Sequence, residues 1–142
     1  MQYNSENTNA FLVHISAFGG FFFPFGNIIT PLILWQTLKD RSKFLDDQGK
    51  EAINFNISYT LYAILVSVIF IPLTIGSILN RGFFRWEWSL FDFDISHFYG
   101  LITLGSLAGL IYILGFILVI IASLKAREGE NYKYPFTIKF IK

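Results

Sequence analysis

The sequence predicts an all-α polytopic membrane protein with a short N-terminal helical hairpin and two long transmembrane helices. Two observations lead there. Hydrophobic residues make up 54% of the 142 positions and charged residues only 15%, too little charge to cover a soluble domain of this size. Every Lys, Arg, Asp and Glu also falls outside three windows, 7–38, 52–80 and 95–124. Each window exceeds the ~20 apolar residues that a helix needs to cross the hydrocarbon core. The length fits a single domain, 1–142.

Residues 1–9 (MQYNSENTN) are polar and predict a mobile start. They carry no Lys or Arg and no small-residue cleavage site follows, so they do not read as a signal peptide. The first span is then the expected insertion signal. Segment 10–38 is apolar but punctuated by Gly19-Gly20, Pro24-Phe25-Gly26-Asn27 and Thr30-Pro31. It reads either as one kinked span or as a tight hairpin of helices 10–23 and 26–38. The turn-forming residues favour the hairpin, with Pro31 in the first turns of its second helix. A helix over 10–23 covers only about 21 Å, short for a full crossing.

Segment 39–51 reads as a hydrophilic loop with four basic and four acidic residues. Asp46 and Asp47 suit the start of a following helix, where carboxylates meet free amides and the positive dipole end. Segment 52–80 is a span that Pro72 is expected to kink. In the 81–98 connection, Trp86, Trp88, Phe91 and Phe93 crowd together as an aromatic belt does at the membrane–water boundary. Segment 99–124 is the second long span. Its Gly105 and Gly109 are four apart and form a small-residue face that lets another helix approach. The 125–142 tail is polar and basic, and its stretch 136–141 is expected to lie along the membrane surface with Lys139 and Lys142 on anionic headgroups.

Nine of the eleven basic residues lie in the 39–51 loop and the tail, and two in the 81–98 connection. The positive-inside rule therefore predicts a multi-pass protein of a bacterial inner membrane with loop and tail cytoplasmic. The side of the N-terminus depends on the hairpin: cytoplasmic with it, external with a single span.

Chemistry-bearing constellations are few. The chain has no Cys, which excludes disulfides and thiolate sites. The net charge of +1 gives no reason to expect nucleic acid. Neither His14 nor His97 has a second ligand at metal-binding spacing, and no phosphate loop, nucleophile elbow or carboxylate dyad occurs. No catalytic group, cofactor or metal is expected. Asn56-Ile57-Ser58 matches a glycosylation acceptor but lies inside a span. His14 reads as a helix-packing residue, as do Pro31, Gly105 and Gly109. The strongest candidate site is the face shared by Glu51, Asn54 and Ser58, spaced by three and four residues. Polar groups at that depth are costly in lipid and must face protein or water. With Asp46, Gly49 and Lys50 they form a candidate partner-binding surface, and Trp86, Trp88, Phe91 and Phe93 form a second.

Five stretches occur in a recognisable order: HIS at 14–16, PFGNII at 24–29, PLILW at 31–35, FLDDQGKEAINF at 44–55 and GENYKYPFTIKFI at 129–141. Together they resemble the bacterial DUF4870 proteins, grouped with the Tic20-like membrane proteins. The 81–97 segment departs from that pattern, which usually has a shorter connection. The resemblance implies a four-helix Tic20-like bundle working within a larger assembly that handles membrane-crossing proteins. The expected function is a non-enzymatic accessory subunit of an inner-membrane complex linked to protein translocation, with other integral membrane proteins and the lipid bilayer as partners. The alternative is a small oligomeric channel or transporter whose path is lined by His14, Asn27, Asn54 and Ser58.

Overall fold

A computed structural model of the chain describes residues 2–82 and 96–142, with side chains for 5–72, 102 and 105–142. The described residues are helical, without strands: α1 (Gln2–Ile15), a 3₁₀ turn (Ser16–Phe21), α2 (Gly26–Leu38), a second 3₁₀ turn (Lys39–Arg41), α3 (Lys43–Gly82) and α4 (Ser96–Arg127). The all-α class, the hairpin and the four helices stand. Two segments differ from the sequence reading. Residues 2–9 form the first turns of α1, where Asn7 is buried, rather than a mobile start. Residues 43–51 begin α3 instead of forming a loop. Ser42 is extended and its hydroxyl accepts the Leu45 amide, an N-cap that starts the helix ahead of the charged run.

Between α1 and α2 the chain turns at Phe22–Phe25, with Phe25 in the left-handed region at φ 60°. The two arms touch through backbone. A Cβ on Gly26 would collide with the Gly19 carbonyl and sit 2.9 Å from the Gly20 amide nitrogen. Thr30 fastens the turn by donating to the Gly26 carbonyl at 2.6 Å and to the Ser16 carbonyl. Because the obstruction is backbone, Gly26→Ala is expected to cost up to about 3 kcal/mol. A denaturation midpoint in detergent equal to that of the parent would contradict the close approach.

The chain forms two compact units, Met1–Leu61 with Leu114–Lys142, and Tyr62–Ile113. In the first, Ala10, Val13, Leu38, Leu45, Ala52 and Ala126 make one apolar cluster, and Ala17, Phe55, Val119, Ala122 and Tyr134 make another. The α1 residues repeat at helical spacing, so one face of α1 meets the core. From Ala52 to Asn56 every α3 residue is buried, which explains why no amphipathic period marks this stretch. In the second unit, Leu65, Val68, Ile69, Ile102, Leu110 and Ile113 all present apolar side chains outward.

Two stretches, Lys43–Pro72 and Gly105–Arg127, are long and apolar enough to cross a membrane. Their most apolar windows are only 17% and 22% buried, unlike a soluble core helix, so their outer faces call for lipid. Trp86, Trp88, Phe91 and Phe93 lie outside the described residues.

Candidate functional site: a polar helix face closed by the C-terminal strap

At the end of α4 the chain reverses through a helix-terminating motif. The Glu130 amide donates to the Lys125 carbonyl at 3.0 Å and the Gly129 amide to the Ala126 carbonyl at 3.0 Å, with Gly129 left-handed at φ 81°. The residues that follow run without regular structure along α3 and form a strap over 131–141.

The polar face of α3 receives this strap. Asn54, nearly fully buried, uses its whole amide: Nδ2 donates to the Ile141 carbonyl at 2.9 Å, and Oδ1 accepts the amides of Phe140 at 3.0 Å and Ile141 at 2.8 Å. Ser58 Oγ accepts the Ile138 amide at 2.9 Å and donates within its helix to the Asn54 carbonyl at 2.7 Å. One turn before Glu51, Gln48 binds the start of the strap. Its Oε1 accepts the Tyr132 amide at 3.4 Å, and its Nε2 donates to Asn131 Oδ1 at 3.3 Å. A strand edge would offer the strap a row of backbone groups; here carboxamides and a hydroxyl replace it.

His14 ties the hairpin to both. Its Nε2–H donates to Gln48 Oε1 at 3.0 Å, while Nδ1 accepts the Tyr134 hydroxyl at 3.0 Å. Tyr134 is buried and stacks on Phe55, with ring centroids 4.0 Å apart and 9° between planes. Tyr132 meets Tyr134 edge-on at 5.1 Å. Helices α1 and α3 and the strap thus share one network, in a region where an unmade hydrogen bond costs about 1–3 kcal/mol.

Burial pushes the Tyr134 phenol well above its ordinary value of about 10, helped by Tyr132 and Glu51, and burial also raises Tyr132. A phenol with a raised folded-state value holds its proton longer in the docked strap. Docking is therefore fully stable below pH ~10 and weakens as pH rises beyond it. In an absorbance titration, Tyr134→Phe is expected to remove a phenolate component that ionises above the ordinary range. Persistence of that component would contradict the buried placement of Tyr134.

Asp46, Gly49 and Lys50 act elsewhere, around Trp35 of α2. The Trp35 indole Nε1 donates to Asp46 Oδ1 at 2.9 Å, and Lys50 Nζ bonds Asp46 Oδ2 at 2.6 Å. Trp35 lies flush on Gly49, where an added Cβ would fall 2.7 Å from its Cγ. Lys39 Nζ sits 5.3 Å from the centre of the same ring. Trp35 and Gln48 were not among the site residues read from sequence. Gln48 extends the Glu51–Asn54–Ser58 face by three residues, a signal that was there to be used. Glu51 is half-buried beside this face.

Of the residues proposed to line a path, His14, Asn54 and Ser58 are spent on the strap network, and Asn27 Nδ2 donates to Thr60 Oγ1 at 2.9 Å. Pro31 is buried in α2. Among the described residues nothing lies within 4 Å of a Cβ built on Gly105 or Gly109, whereas Gly115 meets a side chain, the Tyr59 ring. Among the described residues no three His, Cys, Asp or Glu side chains converge to hold a metal.

Fold and network together define a small all-helical integral membrane protein whose polar interior is closed by its own C-terminal segment. The chain belongs to the MamF/MmsF family, the magnetosome magnetite crystal formation protein family, whose model matches residues 5–141. No curated protein and no solved structure matches it. This corrects the resemblance to DUF4870 and Tic20-like proteins. All five stretches that carried it lie inside the match. The link to protein translocation rested on that resemblance and goes with it.

Proposed function

We propose that the chain is a non-enzymatic accessory subunit of a membrane assembly, acting by presenting a fixed charged end to other integral membrane proteins. One observation carries this reading: the buried polar groups that could have served chemistry or a pore are bound to one another and to the strap. What remains outward at that end is charge on a rigid frame, including Asp40, Arg41, Lys43, Arg127, Glu128 and Lys133. The concentration of basic residues there supports a cytoplasmic orientation in a bacterial inner membrane or a membrane derived from it.

The family description, formation of magnetite crystals in the magnetosome, supports work at a specialised membrane. For this chain the proposal is the membrane-organising part of that work. Purification from native membranes in a mild detergent tests it. A stoichiometric membrane protein is expected to accompany the parent and to be lost on Arg41→Glu/Lys43→Glu, with the fold unchanged by circular dichroism. Recovery of the chain alone would overturn the subunit reading.

A further inference from the structure

We propose that the α1–α2 hairpin is re-entrant: it enters the bilayer from the side that holds the strap, ends near the midplane, and returns. The occupant of its exposed apolar surface is then the acyl chains of that one leaflet.

Length is the first argument. The 13 residues of α2 rise about 20 Å, short of the ~30 Å hydrocarbon core and about half of the ~40 Å that includes both headgroup regions. Registration is the second, because side-chain contacts fix how far the hairpin reaches along its neighbours. At its base, Ala10 and Leu38 cluster with Leu45 and Ala126, beside the charged ends of α3 and α4. Near its tip, Asn27 bonds Thr60, nine residues beyond Glu51, the last charge before the uncharged run of α3. Phe18 stacks on Phe116 at 5.0 Å, nine residues before Lys125, the first charge at the end of α4. Nine residues of helix rise about 14 Å, roughly half of the ~30 Å hydrocarbon core, so both contacts place the hairpin tip near the midplane.

Chemistry is the third argument. The tip carries Phe21, Phe22, Phe23 and Phe25, all exposed, with Phe22 at 86%. Ile29 and Ile33 continue the same exposed apolar surface down α2. No charge occurs from 7 to 38. Such a tip is unfavourable in water or among headgroups and favourable in hydrocarbon. The tip's backbone is served internally, the Phe22 and Phe23 amides by the Gly19 carbonyl and the Ile28 and Ile29 amides by the Phe25 carbonyl. Irregular backbone survives at membrane depth only when served in this way.

The chain has no Cys, so single cysteines report cleanly. Ser5→Cys, Phe22→Cys and Lys142→Cys are placed separately in full-length protein in phosphatidylcholine–phosphatidylglycerol vesicles. With a membrane-impermeant maleimide, Ser5→Cys and Lys142→Cys are expected to label from the same side and Phe22→Cys from neither. A spin label on Phe22→Cys is expected to collide freely with oxygen and hardly at all with a water-soluble nickel complex. Labelling of Ser5→Cys and Lys142→Cys from opposite sides would mean a full crossing and overturn the proposal. So would exposure of position 22 to nickel, or shielding from both reagents, which would put protein rather than lipid on the tip. Phe22 makes little contact with the rest of the chain, so its substitution leaves the fold in place.

Discussion

Asn54→Ala is expected to release the C-terminal strap, raising tryptic cleavage after Lys133 and Lys139 about a hundredfold. The Asn54 amide makes three hydrogen bonds to strap backbone, and each contributes about 1 kcal/mol net. Their loss, about 3 kcal/mol, shifts the docked–undocked equilibrium by roughly two decades, and cleavage follows the open population when closing is fast. Ser58→Ala removes one acceptor for the strap and is expected to give a smaller rise, about fivefold. That order, Asn54 above Ser58, is the signature of a strap held by side chains. If the Asn54→Ala tail is cut no faster than the parent, the tail is not held there.

The second large effect belongs to Gly49→Ala. The new methyl would occupy the place of the Trp35 ring, so the indole has to leave its buried seat and its bond to Asp46. Overpacking and the lost hydrogen bond together cost about 3 kcal/mol or more. The control is Gly109→Ala, where the methyl meets nothing within 4 Å. It is expected to leave stability unchanged or raise it by up to about 1 kcal/mol through helix propensity. Because Gly49 and Trp35 touch, Gly49→Ala in a Trp35→Ala background should cost far less than in the parent. Equal penalties in both backgrounds would show that the indole is not the obstacle.

The hairpin was legible in the sequence because Pro24, Gly26 and Asn27 are residue types that favour turns by themselves. The polar face was legible because Glu51, Asn54 and Ser58 repeat at helical spacing. What covers that face was not. Asn54 and Ser58 bind backbone groups of Ile138, Phe140 and Ile141, and backbone partners leave no trace in residue identity. The partners of His14 are equally hidden, because Gln48 and Tyr134 lie 34 and 120 residues away. Segment 43–51 was misread for a different reason: its charge looked like a solvated loop, while the deciding signal was one hydroxyl, the Ser42 cap. The contact of α4 with α3 at Gly115 was hidden as well, because no repeat draws attention to that glycine. The family resemblance failed where short motif order stood in for relationship. The same stretches lie inside the MamF/MmsF match; the four helices they implied stand on the structure, and the translocation role does not stand.

Amide hydrogen exchange at the C-terminus, measured on the full chain in lipid nanodiscs, tests most directly whether the polar face of α3 is closed by its own tail. The account predicts slow exchange at Ile138, Phe140 and Ile141, whose amides are held by Ser58 and Asn54, and fast exchange at Phe140 and Ile141 in Asn54→Ala. Free exchange at all three in the parent chain would contradict it, leaving the Gln48–Ser58 face open for a partner.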